Sequence, residues 1–306
     1  MAVTAYQQIS ANKRRSIGLI LVFVVFVCVV GYFFGEYYGT GGYTGLYIAA
    51  LISFFMTLTS IFAGDKLALA SSGAQEIQKE DNPYVWRLVE NVAMTAGLPM
   101  PRVYIIPDNG MNAFATGRNP EHASIALTAG IIDALENEEL EAVIAHELSH
   151  IKNYDTRLLM IVVVLVGIIS LLSNWVLRSQ LWGGDRRRNN NNRGGGQLEL
   201  ILALVGIVFI ILSPIIAELI KLAISRKREY LADASAVLLT RYAQGLASAL
   251  EKIAAQEDHG RLQRANQATA HLFFVNPFGG TRKWLTNVFS THPPIEDRIA
   301  RLRQMS

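Results

Sequence analysis

The sequence predicts an α-helical membrane protein that carries a mixed α+β domain beside about four hydrophobic helices. Three observations lead there. The 306 residues are 51% hydrophobic and only 17% charged, with a mean hydropathy of +0.26, which is too apolar for a soluble domain of this length. Four apolar stretches, at 17–33, 43–62, 158–177 and 198–224, come close to or exceed the ~20 residues that cross a hydrocarbon core. Outside them charge returns, together with the periodicities of ordinary strands and amphipathic helices.

The first stretch follows Lys13-Arg14-Arg15 and lacks a small-x-small cleavage site, so it reads as a retained signal anchor. The connector 35–42 has no Lys or Arg, and the basic bias therefore puts the N-terminus in the cytoplasm. Four parts follow: 1–63, a basic tail and two transmembrane helices; 64–156, the first part of a cytoplasmic domain; 157–224, two more hydrophobic helices; and 225–306, the second part of that domain. The loop 178–197 carries Arg178, Arg186, Arg187, Arg188 and Arg193 and would lie outside, against the bias. Either it is an exception or the later pair enters the bilayer without crossing it.

Within the domain, Ile77, Val85, Leu88, Val89 and Val92 predict a helix over 75–96, stopped at Gly97-Leu98-Pro99. Residues 102–106, 112–117 and 123–128 read as strands, the last two joined by a Gly/Arg/Asn/Pro turn. Helical sequence resumes at Ile131, and the acidic run 137–141 opens a helix that continues through 142–145. Residues 183–196 are a low-complexity loop. Helices follow at 226–240 and 242–256, and a Pro-Pro turn precedes a last helix with Ile295, Ile299 and Leu302 on one face. The single cysteine, Cys28, excludes an intrachain disulfide. Net charge is only +3, and Arg226-Lys227-Arg228 directly follows an apolar stretch, so anionic lipid headgroups explain the basic runs and nucleic-acid binding is not supported.

The chemistry sits in His146-Glu147-Leu148-Ser149-His150. Residues four apart share a helix face, so His146 and His150 can aim ring nitrogens at one Zn²⁺ while Glu147 stands beside an open position as general base. Such a site activates water for attack on a peptide carbonyl. A third ligand is needed. The metzincin pattern requires Gly at 153 and His at 156, where this chain has Asn153 and Thr156. Downstream, Glu229 and Asp233 are again four apart, so Glu229 can ligate and Asp233 can orient a ligand histidine through its distal N–H. An apolar hairpin between His150 and Glu229 returns the chain to the same side. Asp155 either supports the motif helix in this way or is a simple helix-end carboxylate.

Taken together, the His-Glu-Leu-Ser-His run with Asp155, Glu229 to Asp233, Asn-Ala-Phe-Ala-Thr-Gly at 112–117 and Thr-His-Pro-Pro at 291–294 resemble the HtpX-type membrane zinc endopeptidases. The resemblance covers essentially the whole chain. It implies a gluzincin-like α+β domain with a small β-sheet beside the motif helix, one zinc ion, and Glu229 as its third ligand. It further implies cleavage of membrane or misfolded proteins in quality control of the bacterial envelope, from the inner membrane with the catalytic domain cytoplasmic. By the same resemblance Asn112, Ala113, Phe114, Ala115 and Thr116 form the edge strand that pairs with substrate backbone. His292 matches a histidine that steadies the oxyanion. The related CAAX prenyl protease branch uses a larger set of spans than these four. His122, His259 and His271 lack partners at ligand spacing. The rival reading is a catalytically silent membrane chaperone or adaptor, against which an intact Glu147 argues. A transporter is disfavoured because the stretches hold few ionisable residues, Glu199, Glu218 and Lys221 near their ends.

Overall fold

The computed structural model describes residues 5–37, 39–162, 226–256, 262, 272–274 and 293–305. Most of the third apolar stretch, the whole of the fourth, the 183–196 loop, and His259, His271 and His292 lie outside the described residues.

Two long helices, α1 (Ala5–Tyr37) and α2 (Gly42–Ser72), are apolar and long enough to cross a membrane. They are the two such helices among the described residues, where the sequence predicts about four over the whole chain. They pack without room for side chains: a Cβ added at Gly45 would stand 2.1 Å from the Gly31 carbonyl oxygen. Small residues at a helix crossing are how backbones approach closely in lipid, where van der Waals contact drives association.

The second helix does not stop where its apolar run ends at Phe62. It continues through Asp65 and Lys66 to Ser72, and Gly73, at φ 71°, closes it. Its last turns bury Ala68 and Leu69 against Tyr104, Ile106, Phe114 and Ala126, so one continuous helix ties the apolar hairpin to the sheet.

That sheet has four strands, β1 (Gln75–Ile77), β2 (Arg102–Ile106), β3 (Ala113–Gly117) and β4 (Ala123–Thr128), in the order β1-β2-β4-β3. β2 and β4 are parallel, and the outer pairs are antiparallel. The three longer strands fall where the sequence places them. The helix expected over 75–96 is corrected: Gln75–Ile77 pairs with β2, and the helix α3 spans only Pro83–Ala96. Proline disfavours helical backbone in the residue before it but fits the first helical position. Asn82 therefore caps, its Oδ1 accepting from the Val85 N–H at 3.1 Å.

Helix α4 (Ala129–Ala134) leads into α5 (Asn137–Lys152), the motif helix, which is buried along its last three turns against β3, α3 and two later helices. Those are α6 (Arg226–Thr240) and α7 (Ala243–Ala255); α8 (Ile295–Arg303) closes over both. The chain turns sharply after α5 and is helical again over 155–162, where Leu158, Ile161 and Val162 pack on Leu19 and Phe23 of α1.

Candidate active site

Helix α5 carries His146, Glu147 and His150 on its buried face, and α6 brings Glu229 and Asp233 against it. His146 Nε2 lies 3.6 Å from one Glu229 carboxylate oxygen and His150 Nε2 3.6 Å from the other. The two Nε2 atoms are 3.1 Å apart. His146, His150 and Glu229 thus form a buried group whose donor atoms converge on one point, as a metal ion requires.

Each ring is held from behind. Asp233 Oδ1 is 2.9 Å from His146 Nδ1, and Asp155 Oδ2 is 3.1 Å from His150 Nδ1. A carboxylate at Nδ1 keeps the proton there, which turns both Nε2 lone pairs toward the same point and toward the Glu229 carboxylate. Lone pairs set that way repel unless a cation lies between them. Burial alone would push His150 down, but Glu229, the hydrogen bond to Asp155 and the charges of Asp155 and Glu147 outweigh it and hold its pKa at about 9.

Glu147, Asp155, Glu229 and Asp233 are all buried, with the guanidiniums of Arg228 and Arg298 buried beside them. Arg298 is bidentate on Asp233, Nε to Oδ2 at 3.0 Å and Nη2 to Oδ1 at 2.6 Å. It also stacks on Phe274, whose ring centroid lies 4.9 Å from that of His146.

Glu147 stands beside the donor group, its pKa raised chiefly by burial and further by Glu229, against the pull of both histidines and a hydrogen bond from Ala115 backbone. That contact places the outer edge of β3 at the site. Along it the Ala113 carbonyl accepts from Phe274 N–H at 2.8 Å. The neighbouring side chains are engaged locally: Asn112 Oδ1 accepts from Ala113 N–H at 3.0 Å, and Thr116 Oγ1 contacts Met160 Sδ. Phe114 packs edge-on against Phe273. What strand 112–116 turns to the site is therefore backbone.

Sequence reasoning missed Arg298, Phe274 and Asn12 as neighbours of the site, and it gave Arg228 to lipid headgroups, whereas that residue is buried with Nη1 3.5 Å from Asp155. Arg298 left a signal, since it stands within the apolar stripe of Ile295, Ile299 and Leu302, where a charged residue must find a buried partner. Phe274 and Asn12 left none. His122, exposed and bonded to Asn119 at 2.8 Å, takes no part.

A helix presenting two histidines and a glutamate, with a carboxylate from a second helix, defines a metal-dependent peptide hydrolase. Comparison with known proteins specifies which. Residues 79–306 match the model of peptidase family M48, and this chain belongs to that family. It is 46% identical over 301 residues to a protein named protease HtpX homolog from Lactobacillus helveticus, covering 98% of this chain and 99% of the relative. A protein of the same name from Dictyoglomus thermophilum is 44% identical over 302 residues, covering 99% and 95%. Among solved structures, the crystal structure of S. mikatae Ste24p matches with a TM-score of 0.51 at 18% identity, over 97% of this chain and 67% of that one. The likeness extends to the fold. The protein is thus an HtpX-related membrane metallopeptidase.

Proposed function

We propose that this chain is a zinc endopeptidase of the bacterial inner membrane that cuts misfolded or damaged membrane proteins from the cytoplasmic side. The observation that carries the reading is the convergence of His146 Nε2, His150 Nε2 and the Glu229 carboxylate next to Glu147. Two imidazoles and one carboxylate are the donor set of a catalytic zinc site, which keeps a fourth position open. A bound zinc ion supplies the Lewis acidity that makes water nucleophilic near neutral pH.

The chain's own residues then do the following. Glu147 accepts the proton of the attacking water and delivers it to the leaving amine nitrogen; the burial that raises its pKa suits it to both transfers. Asp233 and Asp155 hold the two rings in the tautomer that leaves Nε2 free. On the family resemblance strand 112–116 aligns the substrate by backbone pairing, for which the Phe274 N–H has to leave the Ala113 carbonyl; such pairing suits a protease that cuts unrelated sequences because it reads no side chain. His292, six residues before the site-lining Arg298, steadies the oxyanion in this reading, on the strength of the family resemblance.

Orientation follows the basic flank Lys13-Arg14-Arg15 and the uncharged connector after α1. The test is casein-type proteolysis by detergent-purified protein, with and without chelator and with Glu147→Gln as control. Cleavage that chelator and Glu147→Gln both abolish supports the reading, and full metal occupancy without Glu147-dependent cleavage would favour a silent chaperone on the same fold.

A further inference from the structure

We infer that Asn12, on the first membrane helix, is a positioning residue for the metal site, fixing the Asp155 carboxylate that in turn aims His150. Helix α1 is then part of the metal centre as well as an anchor. The inference rests on the reading of His146, His150 and Glu229 as metal ligands.

Asn12 is 1% exposed, and a buried amide is tolerated only when its hydrogens find acceptors. Both find theirs across more than 140 positions of sequence: Nδ2 donates to the Asn153 carbonyl at 2.9 Å and to Asp155 Oδ1 at 2.7 Å. Those acceptors belong to the tight turn that follows the motif helix. Tyr154 stands there at φ 60°, in the left-handed region that residues other than glycine seldom adopt, so the turn needs holding from outside. Helix α1 holds it twice, through Asn12 and through Lys13, whose Nζ lies 4.3 Å from the Tyr154 ring centroid.

The two oxygens of Asp155 divide their work. Oδ2 faces His150 Nδ1 at 3.1 Å, whereas Oδ1 takes the Asn12 amide, with Arg228 Nη1 farther off at 3.5 Å. Without Asn12 the carboxylate is free to rotate toward Arg228, a charged partner, and away from His150. The ring would then lose the contact that fixes its tautomer and direction, the interaction whose loss weakens metal sites about 10–100-fold. A neutral amide suits the position, since it fixes the carboxylate without drawing it off the histidine as a nearer cation would.

The experiment uses the full chain in detergent and measures zinc Kd by competition with a chromophoric chelator, together with the visible spectrum of the Co²⁺-loaded protein. Asn12→Leu should weaken zinc binding about 10–100-fold and shift the cobalt bands. Lys13→Ala, which removes the second hold on the same turn but keeps the Asn12–Asp155 hydrogen bond, should weaken zinc binding less than Asn12→Leu does. Placed on Asp155→Ala, Asn12→Leu should add less than about twofold, because the two act in series. Should Asn12→Leu not fold, Asn12→Ser, which keeps a shorter donor, is the variant measured, with a smaller loss expected. Unchanged zinc Kd and cobalt spectrum in a folded Asn12 variant, or losses that multiply independently with Asp155→Ala, would overturn the inference. Parent protein that takes up no zinc at all would instead bring down the metal reading on which it stands.

Discussion

Arg298 and Asp233 form a bidentate ion pair, closed from the solvent, with Nη2–Oδ1 at 2.6 Å and Nε–Oδ2 at 3.0 Å. Because Asp233 Oδ1 also takes His146 Nδ1 at 2.9 Å, the last helix of the chain reaches the metal site through one intermediate side chain.

Removing that cation leaves a buried carboxylate without its main partner. Arg298→Met should cost about 3–5 kcal/mol in stability, the usual effect of breaking a buried pair from one side. The pH dependence gives a second readout. Burial would raise the Asp233 pKa, but the charge of Arg298 and the hydrogen bond to His146 outweigh it and hold it at about 2, below the ordinary 3.8. A folded pKa below the unfolded one means stability present above about pH 3.8 and lost as pH falls toward 2. Thermal melting across that window should show this loss in the parent and not in Arg298→Met.

His150 titrates in the opposite sense. With the metal removed its pKa stands at about 9 against an ordinary 6.5, so its contribution to apoprotein stability is complete below pH 6.5 and disappears as pH rises through 9. A metal ion must displace that proton, and zinc affinity should rise about tenfold per pH unit between 7 and 9. Titration calorimetry in buffers of different ionisation enthalpy should find about one proton released per ion near pH 7.5. No proton release would contradict the assignment.

Glu147→Gln keeps the size of the side chain and removes its basicity. Zinc content should stay at the parent level while casein cleavage falls by at least about 100-fold, the ordinary contribution of a positioned general base.

Glu229→Gln acts on the other half of the site. The variant should retain zinc more weakly, lose it during dialysis against a mild chelator, and regain some cleavage when zinc is added in excess. A variant that holds metal as tightly as the parent would remove Glu229 from the ligand set.

Where sequence reading worked, the signals were local. The acidic first turn and apolar run of α5, the strand-forming runs at 102–106 and 123–128, and the stop at Gly97 all lie within a few residues of what they specify. β1 escaped because its three residues also fit a helical period and are strand only through pairing with Ile105, Tyr104 and Val103. Asn12 and Arg298 escaped for a related reason: each is defined by a partner 65 or more positions away, and a polar residue in a helix carries no mark of which distant carboxylate it will meet. His146, Glu147, His150 and Glu229 could be singled out beforehand by their spacing on two helices, and the structure brings His146, His150 and Glu229 together.

The central claim is that His146, His150 and Glu229 hold one zinc ion within reach of Glu147. Anomalous diffraction at the zinc absorption edge, from crystals of the full-length protein, tests it most directly. A single peak about 2.0–2.2 Å from His146 Nε2, His150 Nε2 and a Glu229 oxygen is the expected result. Proteolytically active protein whose crystals show the zinc elsewhere, or none at all, would contradict the account.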